Sequence, residues 1–528
     1  MRMNAIRPVG GLLAAAVFAV GLVQPVLAKT FRWSSQGDFL TMDPHAQNES
    51  LNNTAASYIY EPLVSRDKQM QVEPALAVSW SQPEANRWRF VLRQNVKFHD
   101  GTPFTADDVV FTVQRVLAPS SNFKQYLTGV AEARKIDDHT VEIITNGPNP
   151  VLLQQLTEVR IMSKAWSEKH NVAKPQNFVE KEETYAVRNT NGTGPYILKT
   201  REPDVRTVMV ENPNWWGKRE GNVTEMIYQP VKSDATRIAA LLSGELDFVL
   251  DPPVQDIERL KRGATKVVEG NENRTIFLGF DQHRDELLYS NVKGKNPFKD
   301  LRVRQAIYHA IDADAIKSRI MRGLSLPTGS IIAPQVNGYT KAVDVRLPVD
   351  REKAKKLLAE AGYPNGFEVT LDCPNNRYIN DEEICQAITA MLAQIGVKVQ
   401  LNAMPRATYF AKIQKYDTSF YLLGWGVPTF DALYSLQSLA RTVGEGGDGN
   451  FNLGRFSNAK FDALVDRIKV ETDQEKRNAM IVEALKLHNA EVAHVPLHHQ
   501  VIPWAMRSNV DVVHRADNRV EMRWVKVN

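Results

Sequence analysis

Few residues of this 528-residue chain carry types and spacings that could do chemistry. Asp107 and Asp108 are adjacent carboxylates, but neighbours on a helix point about 100° apart and cannot flank one reacting atom. They follow Thr105, a helix N-cap, where the helix dipole favours negative charge. Val109, Val110, Val113 and Val116 then form an apolar stripe, and Val96 and Phe98 before the Asp100-Gly101 turn read as a short strand. His488, His494, His498 and His499 invite a metal reading. Their spacing matches no compact motif such as His-Glu-x-x-His, and Pro496 interrupts any shared helix, so no metal site and no cofactor is expected. A secreted hydrolase would need a nucleophile, a base and an orienting group; no Gly-x-Ser-x-Gly elbow occurs. Cys373 and Cys385 are the only two cysteines. An even pair in an exported chain points to a disulfide.

The elements around that pair are the most regular in the chain. Phe367 to Asp372 reads as a strand and Asp381 to Ile395 as a helix with Ile384, Ile388, Met391, Leu392 and Ile395 on one face. Val397 to Leu401 is a second strand, Thr408 to Lys415 a second helix and Ser419 to Leu423 a third strand. Such a βαβαβ unit implies parallel strands with right-handed crossovers. Ligands of open parallel sheets bind outside the carboxyl ends of the strands. Those ends carry Arg377 and Tyr378, then Met404-Pro405, then Gly424-Trp425-Gly426-Val427-Pro428-Thr429-Phe430-Asp431. Arg377 is expected as a carboxylate anchor, Trp425 as a cleft wall and Asp431 as a partner for an amino group. Trp215-Trp216 is expected to pack between subdomains.

Residues 1–28 are a targeting segment. Arg2 and Arg7 give a positive start, Gly10 to Val23 is apolar, and Val26-Leu27-Ala28 offers a cleavage site. The mature chain has 528 − 28 = 500 residues, and losing two arginines takes the formal charge from +4 to +2. That near-balance argues against a nucleic-acid partner. At 43% hydrophobic and 24% charged the composition is globular, and the length demands two or three domains.

Several strings closely resemble the peptide/nickel-type solute-binding proteins that feed ABC importers. They are Val96-Lys-Phe-His-Asp-Gly-Thr-Pro-Phe-Thr-Ala-Asp-Asp108, Tyr60-Glu-Pro-Leu-Val64, Glu73-Pro-Ala-Leu-Ala-Val-Ser-Trp80, Gly192-Thr-Gly-Pro-Tyr196, Val303-Arg-Gln-Ala-Ile-Tyr-His-Ala-Ile-Asp312, Glu352 to Pro364 and the Gly424-Trp425 corner. The resemblance runs in order over essentially the whole mature chain. It implies an α/β, two-lobed periplasmic clamp of three subdomains with mixed sheets. The expected division is 29–60, 205–283 and 500–528 for the core of lobe I, 61–204 for its accessory subdomain, and 284–499 for lobe II. It also implies a monomeric periplasmic protein that carries a peptide or peptide-like solute to an inner-membrane ABC permease. Asn48 and Glu49, after the first strand, fall where related proteins touch their solute. Peptide-binding members place an aspartate shortly after the Gly-Trp corner to hold the peptide amino group; here Pro428 stands there and Asp431 is the nearest acid. A modified peptide, an opine-like conjugate, another organic acid and a metal chelate therefore stay open as cargo.

Overall fold

The computed structural model describes Met1 and residues 29–127, 129–445 and 447–528. The targeting segment over residues 1–28 thus lies, apart from Met1, outside the described residues. Among the described residues no helix is long and apolar enough to cross a membrane.

One mixed sheet runs through the whole molecule. Its path strands in chain order are β1 (Thr30–Ser34), β2 (Tyr196–Glu202), β3 (Arg206–Glu211), β4 (Glu225–Tyr228), β5 (Phe248–Leu250), β6 (Thr265–Phe280), β7 (Glu368–Pro374), β8 (Lys398–Met404), β9 (Phe420–Gly426) and β10 (His494–Arg507). Across the sheet they lie in the order β8-β7-β9-β6-β10-β5-β1-β4-β3-β2, with Ser325–Pro327 pairing to the side of β10. β7 pairs parallel with both β8 and β9, the arrangement expected of the βαβαβ unit. β1 likewise pairs parallel with β4 and β5. The fold is a two-lobed α/β clamp, one lobe built on β8-β7-β9 and the other on β5-β1-β4-β3-β2.

Among the described strands, β6 and β10 lie between these two sets. They form a long antiparallel ladder in which Thr265–Asn271 pair with Arg507–Val501 and Thr275–Gly279 with His499–His494. The register shifts between Asn271 and Thr275. Bulges of this kind bend a strand and interrupt its hydrogen bonds, and a second shift follows between Ile276 and Phe277. A separate four-stranded antiparallel sheet has the order Ala77–Glu84, Arg87–Leu92, Thr140–Thr145, Val130–Asp137. Helix Ala106–Leu117 packs beside it and starts with a capping box between Thr105 and Asp108. Val96 to Phe98 does not become a strand; Lys97 makes only an isolated bridge to Pro103.

Three helices position the cleft: α1 (Ser50–Ile59), α2 (Asp381–Ala393) and α3 (Arg406–Ile413). α1 begins at Ser50 because Glu49 is its N-cap, its carboxylate accepting from Leu51 N at 3.0 Å and Asn52 N at 3.2 Å. α2 buries Ile384, Cys385, Ile388 and Leu392 against the sheet.

Candidate functional site

The loop between β7 and α2 is held at both ends. Cys373, at the end of β7, is disulfide-bonded to Cys385 in α2. Asp381, the first residue of α2, accepts from the backbone N–H of Arg377 at 2.9 Å and of Tyr378 at 3.0 Å. Burial pushes the Asp381 carboxyl up to about 7 despite these donors. The Arg377 guanidinium lies over the Tyr378 ring, 4.6 Å from its centroid.

Arg377 thereby reaches Glu49. Its Nε is 2.8 Å from Glu49 Oε1, an ion contact without hydrogen-bond alignment. Arg406 Nη2 lies 2.9 Å from Glu49 Oε2. Arg406 opens α3 and is oriented by the Asn376 side chain, which accepts from its backbone N–H at 2.7 Å. Glu49 and Arg406 are buried, Glu49 at 1% exposure, while 10% of the Arg377 side chain is exposed. Burial alone would raise the Glu49 carboxyl, but Arg377 and Arg406, helped by the α1 amides, hold it down to about 2.

Trp425 ends an aromatic ladder beside this cluster. Its ring stacks on Tyr434 at 5.1 Å, and Tyr434 stacks on Tyr126 at 5.1 Å. Asn48 Nδ2 donates to the Tyr434 hydroxyl at 2.8 Å. The Trp425 indole N–H is buried without an acceptor, which marks a donor facing a site. Gly424 leaves room for Tyr378, since a Cβ there would come within 2.6 Å of the tyrosine ring. Arg274, at the first register shift of the β6–β10 ladder, donates to Glu272 at 2.9 Å and to Ser50 Oγ at 2.5 Å.

Asn48, Glu49, Arg377 and Trp425 thus line one cavity of about 50 Å³, with Tyr434 and Arg274. Asp431 is elsewhere. Arg477 grips its carboxylate with two bonds of 2.7 Å, Asn337 Nδ2 donates at 2.9 Å, and Leu433 N donates at 3.0 Å. Asp431 borders a separate open groove of about 680 Å³ on the other side of the 427–430 turn. Its charge is committed to Arg477 and to capping the following turn. Arg406 was not among the residues singled out from sequence. It directly follows Pro405 at the carboxyl end of β8, so the strand-end rule that selected Arg377 also points to it. Of the histidines, His488 and His494 bond to each other at 2.9 Å and His499 to Thr275 at 3.0 Å.

Two half-sheets joined by a bulged ladder, with charged and aromatic groups meeting between them, define a solute-binding clamp. The chain belongs to the bacterial extracellular solute-binding proteins of family 5, whose profile, "Bacterial extracellular solute-binding proteins, family 5 Middle", matches residues 71–447. Members bind peptides or similar solutes and work with ABC permeases. The chain is 28% identical over 479 residues to heme-binding protein A of Haemophilus influenzae, covering 85% of this chain and 83% of that one. It is 27% identical over 470 residues to the glutathione-binding protein GsiB of Escherichia coli K12, covering 87% of each. Among solved structures, AgaA of A. tumefaciens R10 in complex with agropinic acid superposes with a TM-score of 0.81 at 26% identity, covering 92% of this chain and 94% of that one.

Proposed function

We propose that this protein captures a carboxylate-bearing, peptide-like solute between its lobes in the periplasm and presents it, as a monomer, to an inner-membrane ABC permease. One observation carries the reading. Arg377 and Arg406 converge on Glu49 across the cleft, next to the unpaired indole N–H of Trp425. On solute entry a carboxylate replaces Glu49 on the arginines, whose planar forks suit it. The released Glu49 then faces the solute's ammonium group. Glu49 would so take the role of the aspartate missing after the Gly-Trp corner, a role Asp431 is not free to play. Heme, glutathione and agropinic acid, the ligands in the names of the three relatives, differ in bulk but all carry carboxylates, which supports the choice of group.

We place the lobes as residues 29–60, 205–283 and 500–528 with the accessory 61–204 against 284–499, and the bending point where β10 passes from one to the other at 499–500, opposite the register shift between Asn271 and Thr275. An opine-like conjugate, another organic acid or a metal chelate would use the same arginines.

Mass spectrometry of the solute released from undialysed protein tests the reading, followed by calorimetry with that solute. The solute should carry a carboxylate. Removing one partner of a buried charged hydrogen bond costs about 2–5 kcal/mol, so Arg377→Ala should bind roughly 30- to 4,000-fold more weakly. Trp425→Ala should weaken binding with unchanged charge preference. A solute without a carboxylate, or Arg377→Ala binding like the parent, would refute it.

A further inference from the structure

A second, partly open cavity lies inside the first lobe, where Tyr60 to Arg66, Thr157 to Arg160 and Arg515 to Arg523 meet. It measures about 80 Å³, room for a small tetrahedral ion or a few waters, each of which takes about 30 Å³ in the liquid. Five arginines line it against three carboxylates, Glu61, Glu158 and Glu521. Three of the arginines have close anionic partners. Arg515 is paired with Asp517, Arg519 with Glu158 through bonds of 3.0 and 2.6 Å, and Arg523 with Glu73 at 2.9 Å.

Arg66 and Arg160 do not. Among the described residues no carboxylate comes within ion-pair distance of Arg66. Its Nη1 donates to Met70 O at 2.7 Å, while its Nε and Nη2 are buried with no acceptor. Arg160 lies 4.0 Å from Glu158, whose oxygens already serve Arg519, and its Nε is also without an acceptor. Both side chains are more than nine-tenths buried. Burial pushes both guanidinium groups down to about 10. Glu61 is already engaged, its carboxylate accepting from Trp215, Trp216 and Thr193. Buried donors left unpaired are costly and call for an occupant.

We propose that this cavity is a second binding site, for a free inorganic oxyanion of phosphate or sulfate size, held by Arg66 and Arg160. The solute of the interlobe cleft does not supply that anion, because the Arg519–Glu158 pair stands between the two spaces: Arg519 lines both. Entry is from the open groove on the other side, which Arg66 also borders.

The test uses full-length mature protein. Thermal unfolding is followed against inorganic phosphate at constant ionic strength. A saturable upward shift is expected in the parent and its loss in Arg66→Gln; salts acting by exclusion from the surface would instead give an unsaturated rise in both. A second measurement needs no variant: crystals of the parent grown with selenate should show an anomalous peak between the Arg66 and Arg160 side chains. An equal shift in both proteins, no shift at all, or only water density in the cavity would overturn the proposal.

Discussion

Glu49 joins two tasks in one carboxylate: it caps α1 and neutralises two buried arginines. Replacing it with glutamine would leave Arg377 and Arg406 buried without their anion. Breaking a buried pair by removing one partner typically costs about 3–5 kcal/mol. Glu49→Gln should lose roughly that in urea unfolding, an unchanged midpoint being the contrary result. The pH dependence has a definite sign. The Glu49 carboxyl is held at about 2 against an ordinary 4.5, so its stabilisation is complete above about pH 4.5 and lost as pH falls through about 2. Glu49→Gln should therefore unfold with a flatter acid limb over that window. Asp431 gives the opposite lesson. Its ion pair with Arg477 is buried, so Asp431→Asn should lower stability by about 3–5 kcal/mol. The charge preference for solute should stay as in the parent when measured by calorimetry.

At the scale of elements, the disulfide and the Asp381 carboxylate make a short loop into a rigid arm for Arg377. A bridge closing a loop of this size contributes about 3 kcal/mol in the chain-entropy model. The Cys373→Ser, Cys385→Ser double variant should lose about that much in denaturant unfolding and bind solute more weakly than the parent. Unchanged affinity would show that Asp381 alone holds the arm. The parallel unit was legible because its first helix keeps a strict apolar face and its strands end at or just before glycine or proline. That topology made Arg377 and Trp425 visible as strand-end residues. Arg406 carried the same signal one residue beyond Pro405. Asp431 was misplaced for a physical reason: its partner Arg477 lies 46 residues away on helix Gln474–Ala490. No local pattern reports so distant a contact. The register shifts of the β6–β10 ladder were equally hidden, since a shift belongs to the pairing of two strands and not to either alone. Glu49 as an N-cap was missed because helix starts are read from Ser, Thr, Asp and Asn.

For the whole molecule, size decides how the clamp works. Ligand pockets usually measure about 300–1,000 Å³, whereas the cavity between Glu49, Arg377 and Trp425 measures about 50 Å³. No peptide-sized solute fits while Glu49 bridges to both arginines. On the proposed reading the lobes part to admit solute and close again around it, bending at the 271–275 shift of the β6–β10 ladder. Small-angle X-ray scattering of solute-stripped protein, titrated with the solute recovered from it, tests this most directly. The radius of gyration should fall to a plateau as solute saturates the cleft, with the same midpoint as calorimetry. An unchanged radius at saturating solute would contradict capture by lobe closure.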